Sequence, residues 1–221
     1  LASPSTGKVL LLLWKNGADT SNPEIRMPHV ILLAGPNGAG KSTVAEHLLK
    51  GALRVQEFVN ADTIAAGLSA FAPDSAAFHA GRMMLGRITE LSKSRKNFAF
   101  ESTLSAKSFA PRLKALKSKG YSVRLVFLFL PSPKLAIERV RQRVRLGGHD
   151  VPVSVIRRRY YAGARNFFDL YMPIVDHWRI YDNSGLTPRL VAIGRRDSLY
   201  TRIISVPEIW NEFVKVGNVN G

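Results

Sequence analysis

The sequence predicts an α/β protein built on a mostly parallel sheet. Three observations predict it. Short apolar, β-branched runs alternate with helical periodicities along the 221 residues. The run at 29–34 leads straight into a glycine-rich turn and then a helical pattern. The segment 122–130 is almost continuously apolar, as in a strand buried on both faces.

Taken in order, the first strand is 29–34, His-Val-Ile-Leu-Leu-Ala. Next come Gly35, Pro36, Asn37, Gly38, Ala39, Gly40, Lys41 and Ser42, a full match to the phosphate-binding pattern G-x-x-x-x-G-K-[ST]. Glycines let such a loop curl until its N–H groups face phosphate oxygens. Lys41 supplies a point charge for the β- and γ-phosphates, and the Ser42 hydroxyl a ligand for Mg²⁺. From Thr43 the spacing of Val44, Ala45, Leu48 and Leu49 predicts a helix over 41–50 with Gly51 as its stop. Its N-terminus faces the anion. The expected ligands are therefore ATP or GTP with Mg²⁺.

A strand follows near 55–60, then helices over 62–68 and 74–94, the second with Met83, Met84, Ile88 and Leu91 as its apolar side. A strand at 98–101 and a helix at 108–119 come next, before the strand at 122–130. Pro131 and Pro133 end that strand and open a helix over 133–146. Another helix is expected at 152–171, a short strand at 179–181, strand-like runs at 189–193 and 201–206, and a last helix from Pro207. The whole reads as a P-loop NTPase, kinase-like three-layer sandwich. Residues 1–27 are read as a poorly defined extension and 28–221 as one domain.

Composition bounds the setting. The chain is 46% hydrophobic and has no cysteine, which excludes disulfides and thiolate metal sites and fits a reducing, cytoplasmic compartment. The apolar run at 9–14 is too short to span a bilayer, so no membrane association is expected. With 32 basic and 16 acidic residues the formal charge is +16, a field that favours polyanions, nucleic acid among them.

In parallel sheets chemistry gathers beyond the carboxyl ends of the strands. There the sequence places Asn60-Ala-Asp62 and Glu101-Ser102-Thr103. No strand ends in Asp-Glu and no Leu-Ser-Gly-Gly-Gln signature occurs, which argues against a transporter-type ATPase. A kinase needs a carboxylate to take the acceptor's proton. Asp62 is the candidate base; its alternatives are helix N-cap and Mg²⁺ ligand. Glu101 could bind Mg²⁺ through water, hold acceptor hydroxyls, or cap the next segment. Ser102 and Thr103 suit sugar or phosphate contacts.

Residues 139–145 read Arg-Val-Arg-Gln-Arg-Val-Arg. On a helix Arg139 and Arg143 share one flank, Arg141 and Arg145 the other, with Ile137, Val140 and Val144 between. Gly147-Gly-His-Asp-Val-Pro152 and the run Arg157, Arg158, Arg159 follow. The pattern predicts an arginine-rich helical lid over about 133–172 that delivers charge to phosphates. A solvated basic face or a nucleic-acid patch is the alternative. His149 is a turn residue or a substrate contact. Tyr160, Tyr161, Phe167, Phe168 and Tyr171 fit core packing better than base stacking.

These motifs, the phosphate loop with Phe58-Val-Asn-Ala-Asp62, Phe98-Ala-Phe-Glu101-Ser-Thr103 and Glu138-Arg139 through Tyr160, together resemble the zeta-toxin family of P-loop kinases over about 28–185. The likeness is to its short chromosomal members. The resemblance implies an ATP- or GTP-dependent small-molecule kinase. The family's toxins phosphorylate the sugar 3′-hydroxyl of UDP-N-acetylglucosamine, and a small antitoxin protein blocks their nucleotide site. By motif, Lys41 and Ser42 take the phosphate and Mg²⁺ roles, Asp62 the base, Glu101 and Thr103 acceptor contacts, and Arg139 a phosphate contact. The second lid arginine has no clean counterpart; Arg143, Arg157 or Arg158 would have to substitute. The stretch 63–95, which shapes the acceptor pocket, has no recognisable match.

Overall fold

A computed structural model describes residues 27–46, 49, 55–69, 73–196 and 202–219. Nearly all of the extension read at 1–27, and residues 47, 48 and 50 of the helix read at 41–50, lie outside the described residues.

Seven strands form one sheet: β1 His29–Ala34, β2 Glu57–Val59, β3 Phe98–Ser102, β4 Ser122–Phe129, β5 His177–Asp182, β6 Arg189–Arg195 and β7 Arg202–Ile204. Their order across the sheet is β2-β3-β1-β4-β5-β6-β7. The five strands from β2 to β5 pair in parallel. β6 and β7 are antiparallel, as the mostly parallel sheet read from the sequence allows. The reason is length. Only residues 183–188 join β5 to β6, too few for a crossover, so the chain must turn back.

Among the described residues six helices follow in chain order after the loop at 35–40: α1 Lys41–Ala45, α2 Ala61–Leu68, α3 Pro73–Lys93, α4 Phe109–Ser118, α5 Pro133–Arg145 and α6 Val153–Asn166. A π-helical segment, Phe167–Tyr171, continues α6, and α7 Pro207–Gly217 closes the described chain. The helix expected at 152–171 is thus an α-helix with a π turn at its end. None of these helices is long and apolar enough to cross a membrane.

The core sits on β1 and β4, whose apolar residues are buried almost throughout. Against one end pack the rings of Phe127, Phe167, Phe213 and Trp178, with centroids 4.9–5.7 Å apart. Each such ring contributes about 2–3 kcal/mol on burial. Tyr160, Phe167 and Tyr171 are core residues, so they present no free faces for base stacking. On α3, Met84, Ile88 and Leu91 are buried, but Met83 is 53% exposed: one residue before Met84, it is 100° around the helix, off the buried stripe.

From β1 the chain moves to β2 and β3 on one side, then crosses to β4 on the other. The carboxyl end of β1 is therefore a switch point, and the glycine loop lies there.

Candidate active site

The loop at 35–40 is curled as its glycines allow. Gly38 and Gly40 have φ of 77° and 75°, where a side chain would be strained. A Cβ on Gly38 would also sit 2.5 Å from the carbonyl oxygen of Ala136, so the loop lies hard against α5. Lys41 opens α1 and is nearly buried; its Nζ donates to the carbonyl of Pro36 at 2.9 Å. Burial pushes the Lys41 ammonium below its ordinary value, and the Glu101 and Asp62 carboxylates oppose that push.

Glu101 is the junction of the site. Its strand β3 lies next to β1, with Glu101 in register with Leu33. Glu101 Oε1 is 3.5 Å from Lys41 Nζ, and Oε2 accepts from Ser42 Oγ at 3.0 Å and from Asn60 Nδ2 at 2.9 Å. A carboxylate bonded to the hydroxyl of Ser42 stands on the donor side of the site. The bond from Asn60 to the same oxygen ties it equally to the start of α2, so Glu101 lies between the loop and that helix.

Asp62 lies in the first turn of α2, and its side chain is exposed. It does not cap that helix. Asn60 does: its Oδ1 accepts from the backbone N–H of Asp62 at 2.7 Å and of Thr63 at 3.4 Å. The Asp62 carboxylate is thereby left available, close enough to act electrostatically on both Lys41 and Arg159.

Ser102 and Thr103 are engaged locally. Ser102 Oγ accepts from the N–H of Leu104 at 3.0 Å, and the Thr103 and Ser105 hydroxyls are 2.9 Å apart. Leu104 takes a left-handed backbone, φ 57°, in this turn. The turn is fastened to α6. Asn166 Nδ2 donates to the Leu104 carbonyl at 2.7 Å, and Tyr171 Oη to that of Ala106 at 2.5 Å. Gly163 faces the Thr103 carbonyl so closely that a Cβ would lie 2.4 Å from its oxygen.

The arginines separate by helical phase. Arg139 donates from both terminal nitrogens, each at 2.7 Å, to the carbonyls of Asn183 and Ser184 after β5. Asn183 in turn donates to the Ala39 carbonyl of the glycine loop at 2.7 Å. Arg143 donates to the His149 carbonyl at 2.6 Å, so His149 is part of a turn that Arg143 holds. Arg141, Arg145, Arg157 and Arg158 are exposed. The arginine of the second run that reaches the loop is Arg159, whose Nη1 is 3.4 Å from Asn37 Oδ1. Burial pushes its guanidinium below the ordinary value, and Asp62 opposes.

Sequence reading thus missed Asn60, Arg159 and Asn183. Asn60 carried a signal, since Asn ranks with Asp at N-caps and sits one residue before the helix. Arg159 lies three residues from buried Ile156 and four from buried Gly163, a phase legible only once that stripe is known. Asn183 is 144 residues from its partner and carried none.

The residues fit a nucleoside triphosphate with Mg²⁺. Pro36, Asn37, Ala39 and Thr43 belong to the loop and its helix start, Lys41 supplies a cation, and Ser42 with Glu101 supplies hard oxygen donors. Among the described residues no cluster of three His, Asp or Glu forms a separate metal site.

Residues 30–162 match the family described as AAA domain. An uncharacterized protein of Haemophilus influenzae is 32% identical over 130 residues, covering 59% of this chain and 91% of that protein. A chain of the PezAT chromosomal toxin-antitoxin system of Streptococcus pneumoniae superposes with a TM-score of 0.58 at 19% identity, covering 98% of this chain and 95% of that one. The AvrRxo1-ORF1:-ORF2 complex, solved with ATP, gives 0.67 at 18% identity, covering 98% of this chain and 70% of that one. At such identities the two structures speak for the fold. The chain belongs to the AAA domain family and shares its mostly parallel α/β fold with the PezAT and AvrRxo1 chains.

Proposed function

We propose that this chain is a phosphotransferase that moves the γ-phosphoryl of ATP or GTP to a hydroxyl of a small molecule. The observation that carries the reading is the carboxylate of Asp62. It is exposed, released from capping by Asn60, and electrostatically coupled to Lys41. In this reading Asp62 accepts the proton of the acceptor hydroxyl, whose oxygen bonds to the γ-phosphorus as the bond to the bridging oxygen breaks. Lys41 holds the phosphates, and Arg159 and Arg139 neutralise charge near the loop. Arg143, held to the His149 carbonyl, lies close enough to act electrostatically on Lys41 and would add to that charge, while Arg157 and Arg158 are exposed. Ser42 and Glu101 would hold Mg²⁺, which supplies charge neutralisation at the phosphates when bound.

The zeta-toxin resemblance extends the reading to a nucleotide sugar such as UDP-N-acetylglucosamine as acceptor. Thr103 and Ser102 would line that acceptor's side, and a small antitoxin would be a protein partner in a cytoplasmic setting. The lid motion expected over 133–172 would have to work against two ties: α6 is fastened to the turn at 103–106, and Arg139 holds α5 to the carbonyls of Asn183 and Ser184.

The test is incubation with γ-labelled ATP or GTP and a panel of nucleotide sugars, nucleosides and small polyols. Label in one acceptor, lost in Asp62→Asn while nucleotide binding persists, supports the reading. Normal turnover by Asp62→Asn would sink the base assignment. No labelled acceptor from any class would sink the phosphotransferase itself.

A further inference from the structure

Outside the site, one surface has a charge that the proposed chemistry does not use. Residues 93–119 contain eight basic residues, Lys93, Arg95, Lys96, Lys107, Arg112, Lys114, Lys117 and Lys119, and one acid, Glu101, which is committed to the active site. Two of the eight are paired: Lys96 with Glu57 at 3.2 Å and Lys117 with Asp176. Lys93, Arg95, Lys107, Arg112, Lys114 and Lys119 are exposed. The two sequence segments join into one surface, because Arg95 Nη1 donates to the Lys119 carbonyl at 3.0 Å.

Helix stability does not account for this charge. Lys119 and Arg95 lie at the C-terminal end of α4, where cations are favoured. Lys107 and Arg112 lie at its N-terminal end, where cations are disfavoured, and the first turn carries no acid to offset them. The surface also lacks what a membrane or a hydrophobic protein partner would need. The exposed large apolar residues are Leu68, Phe78, Met83, Leu146, Val153 and others elsewhere, and none falls between 93 and 119. Charge without apolar anchors suits a phosphate backbone. The ten residues of α4 span about 15 Å, from the turn that follows Glu101 to the opposite end of the sheet.

We propose that the α4 surface, from Lys107 through Arg112 and Lys114 to Lys119 and Arg95, docks the phosphate backbone of a nucleic acid. The site is separate from the phosphate loop and does not rest on the kinase reading. It begins beside the turn at 103–106, so a docked strand would pass the acceptor side of the active site.

The test compares two charge-matched variants by fluorescence anisotropy with a labelled DNA duplex of about twenty base pairs and a matching RNA strand. One carries Lys107→Glu, Arg112→Glu and Lys114→Glu. The other carries Arg82→Glu, Arg189→Glu and Lys215→Glu, on other elements. The expected result is salt-dependent binding by the wild type and the second variant. In the first variant binding should collapse, with the slope of log K against log salt reduced by about 0.9 per lost duplex contact. Should the glutamate variant unfold, Lys107→Gln, Arg112→Gln and Lys114→Gln replace it. Equal losses in both variants, no binding by the wild type, or binding to anionic vesicles but not to either nucleic acid would overturn the proposal.

Discussion

Replacing Gly163 by alanine tests whether α6 is a fixed wall of the active site. The new Cβ would lie 2.4 Å from the Thr103 carbonyl oxygen, against an ordinary contact of at least 3.4 Å. Backbone must therefore move by roughly 1 Å. Neither side yields easily: Asn166 holds the Leu104 carbonyl, and Tyr171 holds that of Ala106. Alanine gains up to about 1 kcal/mol in a helix interior, while such overpacking costs about 1–3 kcal/mol. The expected net loss is about 1 kcal/mol, or a fall of about 2–4 °C in Tm. The functional effect is larger. Arg159 is one helical turn from Gly163, so the displacement carries it away from Asn37. A misplacement of about 1 Å can reduce turnover by about a hundredfold. Calorimetry, nucleotide titration and labelled-phosphate transfer together check this. Nucleotide affinity should stay near wild type, because Lys41 and Ser42 lie on another element. A Gly163→Ala protein with unchanged Tm and unchanged turnover would refute the wall.

Gly86→Ala on α3 is the contrasting case, since nothing lies within 4 Å of its added Cβ; Tm should rise by about 2–4 °C. Asn60→Ala removes the cap of α2 and a partner of Glu101, and should lower stability by about 1 kcal/mol in urea unfolding. His29 concerns pH. Burial, aided by Arg124, lowers its pKa from 6.5 to about 4, so the unfolded chain takes up the proton first as pH falls. Its contribution is whole above pH 6.5 and is lost progressively down to about pH 4; His29→Gln should flatten that limb of the stability profile.

Much of the fold was legible because local chemistry and tertiary need coincide in it. The run at 29–34 could hardly be anything but a buried strand, and Pro131 and Pro133 marked the start of α5, where the structure adds a cap from Ser132 Oγ to the Leu135 N–H. What was not legible depended on residues far apart. Nothing near 183 announces that its side chain closes on Ala39. The sequence offered Arg157 and Arg158 as readily as Arg159, since only the packing of Ile156 and Tyr160 sets the phase of α6.

Glu101 touches the loop that would hold the donor and, through Asn60, the helix that carries the candidate base. One side chain spanning both halves makes their properties hard to vary separately. Substitutions at Ser42, Asn60 and Glu101 should be strongly non-additive. Lineages that change acceptor would then find few tolerated routes near this carboxylate. Diversity is expected farther out, along the exposed faces of α2 and α3, where a new contact can be tried without disturbing the donor.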